Sequence, residues 1–115
     1  MSFGNHRDLV VWRKSMDLVI LVYRLTEKFP KHEQYALTSQ MRRAAVSIPS
    51  NIAEGRRRGT ENEFRHFSRI ALGSAAELET QIEIAFRLEY DNAESFKGSM
   101  DLLDEVLRML NKISF

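Results

Sequence analysis

The sequence predicts an all-α protein, an up-down-up-down antiparallel four-helix bundle with its second helix kinked at Pro49, filling residues 1–115 as one domain. Three observations lead there. Apolar residues recur at three- and four-residue steps along four long stretches, the spacing of a buried helix face. The breaks between them are short and carry helix punctuation: Phe29-Pro30, Gly55 to Gly59, and Asp91. Only two prolines and five glycines occur, so long uninterrupted helices are allowed. No strand alternation, internal repeat or low-complexity run competes with this reading, and short connections make consecutive helices antiparallel.

The first helix is expected over about 8–27, with Asp8 as N-cap and residues 1–7 as a short flexible arm. It is apolar on most sides, which predicts burial on most sides. Leu9, Trp12, Met16, Val19, Ile20 and Tyr23 form one stripe, assigned to the bundle. Val11, Leu18, Leu21, Val22 and Leu25 form a second, assigned to a neighbouring subunit.

The second helix is expected over about 32–57. Leu37, Met41, Ala44, Ala45, Ile48 and Ile52 make its apolar face. Pro49 removes a donor and crowds the carbonyl four residues back, at about 3 kcal/mol. The pattern resumes in phase at Ile52 and Ala53, so a kink is expected, with Ser47, Ser50 and Asn51 available to the freed backbone groups. Gly55 or Gly59 ends the helix.

Thr60 with Glu63 is a capping box that starts the third helix, expected over 61–90. Phe64, Phe67, Ala71, Ser74, Leu78, Gln81, Ala85 and Leu88 follow in heptad-like spacing. Gly73, Ser74, Ala75 and Ala76 form a small-residue window for close helix approach. Asp91 with Glu94 repeats the capping pattern for the fourth helix, expected over 92–113, with Phe96, Met100, Leu103, Leu107 and Leu110 on one side and Val106 and Ile113 flanking.

Composition is that of a water-soluble globular chain, with 43% hydrophobic and 29% charged residues. No cysteine is present, which excludes a disulfide framework or thiolate metal site. No apolar run approaches the ~20 residues of a membrane span, and the N-terminus lacks signal-peptide character, so a cytoplasmic, non-membrane protein is expected. Net charge is +1 but polarised. Residues 1–76 carry 13 basic and 7 acidic groups, and residues 77–115 carry 4 and 9. Seven arginines and three glutamates lie between Arg42 and Arg69.

Enzyme motifs are fragmentary. Glu63 and His66 form one Glu-x-x-His pair, but a di-iron bundle needs a second. His32-Glu33 opens like a zinc-protease motif, yet Ala36 stands where the second histidine belongs. The glycines at 55 and 59 lack the Lys-Ser/Thr of a phosphate loop. The arginine-histidine signature of helical ribonucleases fails because Gly59, Thr60 and Glu61 precede His66. Glu77, Glu79 and Glu83 read as a solvated helix face. No catalytic residue, metal or cofactor is expected.

The run Ser39-Gln40-x-Arg42-Arg43-Ala44-x-x-Ser47-Ile48-Pro49-Ser50-Asn51-Ile52-Ala53-Glu54-Gly55 resembles the signature of four-helix-bundle proteins encoded in intervening sequences of bacterial 23S rRNA genes. Asp8-Leu9-x-x-Trp12, Phe29-Pro30-x-x-Glu33 and Ala71-x-Gly73-Ser74-x-x-Glu77-Leu78-Glu79-Thr80-Gln81 are similar at matching positions. The resemblance implies a ring, a homopentamer, and kinship with the accessory variability protein of diversity-generating retroelements, a basic barrel that binds nucleic acid. One departure stands at Glu89, where a Leu-Gly-Tyr turn is usual. Two function classes follow. One is an RNA- or DNA-binding accessory oligomer that contacts phosphate through Arg42, Arg43, Arg56, Arg57, Arg58, Arg65 and Arg69. The other is a structural or protein-interaction oligomer in which arginines pair with glutamates such as Glu54 or Glu77.

Overall fold

Local capping chemistry sets where the helices begin. Thr60 Oγ1 accepts from the Glu63 amide at 3.2 Å, and Asn92 Oδ1 accepts from the Ser95 amide at 2.9 Å. The computed structural model describes residues 4–115. Among them lie four helices, α1 (Val10–Glu27), α2 (Leu37–Arg57), α3 (Glu61–Arg87) and α4 (Ala93–Ser114), with single 3-10 turns at His6–Asp8 and Lys31–Glu33. No strand occurs among the described residues. The fold is an all-α four-helix bundle.

Three starts differ from the sequence expectation. Residues 1–3 of the expected arm lie outside the described residues. The rest is not a free arm: Asn5 caps the first 3-10 turn by accepting from the Arg7 amide at 2.9 Å, and His6 is buried. Asp8 sits inside that turn, and Leu9 precedes α1 without a side-chain cap. The second helix begins at Leu37, because Lys31–Glu33 closes its own turn and Ala36 (φ −123°, ψ −106°) breaks the helical path. Glu33 Oε1 then accepts from the Leu37 amide at 3.3 Å. Asn92, not Asp91, caps α4.

Pro49 is buried and α2 continues through it. The Asn51 side-chain Nδ2 donates to the Ser47 carbonyl at 2.8 Å and to the Ser47 hydroxyl at 2.9 Å. Of the two candidate stops, Gly59 is the one used, at φ +86°. Gly55 stays inside the helix.

Each helix packs against its neighbours around the bundle: α1 on α2 and α4, α3 on α2 and α4. Gly55 meets Phe64 and Phe67, whereas Ser47 bonds Ser74 at 2.9 Å, so α2 and α3 pair in opposite senses. Phe29, just past α1, stacks near Phe96 while Lys14 reaches Glu105, so α1 and α4 do likewise.

The second α1 stripe, not the first, supplies the centre of the core, while Leu9, Trp12 and Val19 of the first pack at its margin. Val11, Leu18, Val22 and Leu25 are core, at most 4% exposed, and Leu21 is half-buried. They cannot form the surface of a subunit contact. Met16, Ile20 and Tyr23 are the exposed ones, at 39%, 49% and 38%. The reason is that α1 faces both α2 and α4, and its inner face includes two polar residues. Ser15 and Thr26 are buried there, their hydroxyls donating to the Val11 and Val22 carbonyls at 2.6 and 2.7 Å. Counting them completes an inward stripe that apolar spacing alone leaves broken.

The small-residue window also shifts. Ala75 is buried and Ser74 bonds Ser47, but Gly73 and Ala76 face solvent. A β-carbon added at Gly73 would touch nothing, whereas one at Gly55 would lie 2.7 Å from Phe67 Cβ. The close helix approach therefore uses Gly55, and α3 supplies buried Ser68, Ala71 and Ala75 to the interior.

Candidate nucleic-acid interface

The seven arginines nominated from sequence fall into two groups. Arg56, Arg57, Arg58, Arg65 and Arg69 gather at the bundle end where α2 stops and α3 starts. Arg42 and Arg43 lie near the beginning of α2, about 20 Å away along a helix that rises 1.5 Å per residue.

At the basic end, the turn through Gly59 folds the last residues of α2 over the first turns of α3. The Arg56 guanidinium lies 5.3 Å from the Phe64 ring centre and that of Arg58 lies 5.1 Å from Phe67. Contacts of this kind contribute about 0.5–1 kcal/mol at exposed sites. Arg56 is half-buried and its Nε donates to the Gly4 carbonyl at 3.2 Å. Arg57 Nε donates to His6 Nδ1 at 3.4 Å. Arg58 pairs with Glu54 at 2.9 Å, and Arg65 with Glu61 at 3.6 Å. Arg69 sits 5.7 Å from the Phe115 ring, which brings the end of α4 into the group. Arg57, Arg58, Arg65 and Arg69 are all exposed.

His6 ties the N-terminal turn to this end. Its ring packs edge-on against Trp12, with centroids 5.0 Å apart. Burial, then the neighbouring positive charges of Arg57 and Arg7, hold its pKa below the ordinary value. The neutral ring is the form that can accept from Arg57.

Arg42 and Arg43 have unlike surroundings, as adjacent helical positions require, but neither pairs with a carboxylate. Arg42 is half-buried and turned toward α1: Nε donates to Thr26 Oγ1 at 2.9 Å, one terminal nitrogen to the Tyr23 carbonyl at 3.4 Å, and the guanidinium lies 4.6 Å from the Tyr23 ring centre. Arg42 thus meets a hydroxyl, a carbonyl and a ring of α1 rather than a glutamate such as Glu77. Arg43 is exposed.

A second polar group occupies the opposite end. Tyr90 donates its hydroxyl to Glu33 Oε2 at 2.7 Å, with His32 Nε2 3.5 Å from the Tyr90 hydroxyl oxygen. The Tyr90 bond is the main reason the Glu33 carboxyl lies below its usual range, and the carboxylate in turn raises the phenol. Sequence reading missed this trio because its members are 57 and 58 residues apart. It also passed over Tyr35, which is 90% exposed beside the α1–α2 cleft.

The remaining motif fragments stay apart. His66 is exposed and meets the Phe67 ring edge-on, with centroids 5.1 Å apart. Glu77, Glu79 and Glu83 face solvent, Glu83 pairing with Arg87 at 3.1 Å. Among the described residues, no three metal-ligating side chains converge and no helix is long and apolar enough to cross a membrane.

No curated protein matches the chain. It is similar to the crystal structure of a protein with unknown function from the S23 ribosomal protein family of Bacteroides thetaiotaomicron, with a TM-score of 0.81 and 25% identity over 91% of this chain and 98% of that one. Residues 7–112 match the 23S rRNA-intervening sequence protein family. That match spans nearly all of the bundle, so the chain belongs to the family of 23S rRNA-intervening sequence proteins.

Proposed function

We propose that this protein is a non-enzymatic, self-associating bundle that holds nucleic-acid backbone at its basic end, as an accessory factor linked to 23S rRNA intervening sequences. The observation that carries the reading is the grouping of exposed Arg57, Arg58, Arg65 and Arg69 around the α2–α3 turn. The partners of Arg58 and Arg65, Glu54 and Glu61, form helix-surface pairs worth under about 1 kcal/mol, which a phosphate can replace. Phosphate contacts carry no sequence information, so binding is expected to be poorly selective and steeply salt-dependent. Repetition of the end around a ring such as a homopentamer would add weak contacts through multivalency.

The alternative is a structural oligomer without a nucleic-acid ligand. The exposed Met16, Ile20 and Tyr23 stripe of α1 favours self-association under either reading. RNA binding over a salt series separates the two, read on the wild type and on a variant with Arg56, Arg57 and Arg58 all changed to Gln. The proposal expects affinity to fall and the salt slope to flatten in the variant, with an unchanged sedimentation coefficient. No wild-type binding to RNA or DNA at ~50 mM salt leaves the structural reading.

A further inference from the structure

A cleft of about 610 Å³ opens between the end of α1 and the beginning of α2, lined by Tyr23, Tyr35, Thr38, Ser39, Arg42 and Arg43 among others. Its volume is that of a small-ligand site, which typically spans about 300–1,000 Å³. Two of its features bear on a ligand.

The first is fixed positive charge without a counter-ion. Thr26 is buried and donates to the Val22 carbonyl at 2.7 Å, leaving a lone pair that accepts from Arg42 Nε. That bond and the Tyr23 ring set the plane of the Arg42 guanidinium at the cleft wall. No carboxylate lies within ion-pair distance of Arg42 or Arg43 among the described residues, whereas Arg58, Arg65, Arg87 and Arg108 each have one on their own helix. The second is an aromatic ring offered to solvent. Tyr35 is 90% exposed and Tyr23 is 38% exposed, and both line the cleft. Thr38 and Ser39 are also part of the lining.

A guanidinium group suits a phosphate, and a solvent-facing ring suits a flat heteroaromatic base. We infer that the α1–α2 cleft binds one unpaired nucleotide, with its phosphate on Arg42 and Arg43 and its base stacked on Tyr35. This deepens the nucleic-acid reading and rests on it only for the strand to which the nucleotide belongs. A duplex keeps its bases stacked inside and offers the cleft phosphate alone, so the site should prefer single strands.

The test is fluorescence anisotropy on the full chain with a labelled single-stranded RNA 12-mer, the corresponding duplex, and uridine and adenosine monophosphates as competitors. Tyr35→Ala, at an almost fully exposed position, should weaken single-strand binding about tenfold and leave duplex binding unchanged. Tyr35→Phe, which keeps the ring, should bind like the wild type. Competition by the mononucleotides would identify a free-nucleotide site, and competition only by the 12-mer a strand site; either supports the inference. Equal single-strand binding by Tyr35→Ala overturns it. So does a change in sedimentation without a change in binding, which would make the cleft a protein contact. The Arg56, Arg57 and Arg58 variant separates this result from the previous proposal. Loss there with no effect at Tyr35 leaves the basic end standing alone, and the reverse leaves the cleft alone. No wild-type binding of any probe at ~50 mM salt removes both.

Discussion

Gly55 of α2 lies so close to Phe67 of α3 that a β-carbon on the glycine would stand 2.7 Å from the phenylalanine β-carbon. The Phe64 backbone is next, at 3.3 Å. Neither atom can rotate away, so the two helices must separate to admit a methyl group. Gly55→Ala should therefore lose about 1–2 kcal/mol of stability, overpacking outweighing the helix propensity gain of roughly 1 kcal/mol. Gly73→Ala, where the added carbon meets nothing, should gain about 0.5–1 kcal/mol. Urea unfolding of both variants checks the pair; a loss at Gly73 or a gain at Gly55 would contradict this packing.

Arg42 and Arg43 should differ when truncated. Arg42→Ala removes charge-assisted bonds to Thr26 and Tyr23 and strips the Tyr23 ring of its cover, for an expected loss of about 1–2 kcal/mol. Arg43→Ala, at an exposed site, should stay within about 0.5 kcal/mol. Equal changes in thermal midpoint would reject the distinction.

Glu89 ends α3 in the left-handed region at φ 59°. The Tyr90 amide reaches back to the Ala85 carbonyl at 3.2 Å and the Glu89 amide to Phe86 at 3.0 Å, a Schellman closure whose C′ position usually holds glycine. Glu89→Gly should relieve the strain of a side chain there and raise stability by about 0.5–1 kcal/mol, despite the greater freedom it restores to the unfolded chain. A lower melting temperature would show that the Glu89 side chain contributes more than its backbone costs.

His6 should make docking of the N-terminal turn pH-dependent. Its pKa is lower in the folded protein than the ordinary 6.5. Folding therefore favours the neutral ring, and stability is retained above about pH 6.5. Below that value the unfolded form takes up a proton first, and stability falls until the pH passes the folded pKa. Protonation also removes the acceptor used by Arg57. Fluorescence of Trp12, the single tryptophan, should report the change between pH 7.5 and 5.5, and His6→Gln should flatten it. A pH-independent signal in the wild type would exclude this linkage.

Local chemistry was enough to read the helical class and the capping of α3 by Thr60, because each depends on residues a few positions apart. The seam of α4 was read only in part, since Val106 and Ser99 are buried where Met100 and Leu107 were expected. The special backbone position near Glu89 was legible as a departure from a glycine-bearing turn. The inward face of α1 was not. Its stripe runs through Ser15 and Thr26, which count as polar until their hydroxyls are seen returning to the backbone. The partner of Arg42 was equally hidden, since sequence offered carboxylates and the fold offered Thr26 across the α1–α2 contact. The same holds for the glycines: Gly55 and Gly73 are alike in sequence, and only the distance to a neighbouring helix tells them apart. The sequence by itself determined which segments coil, because helix formation is local. Which face turns inward, which arginines stay free of carboxylates and which glycine carries a helix contact were decided by tertiary packing, because those properties belong to pairs of residues that meet only when the bundle closes.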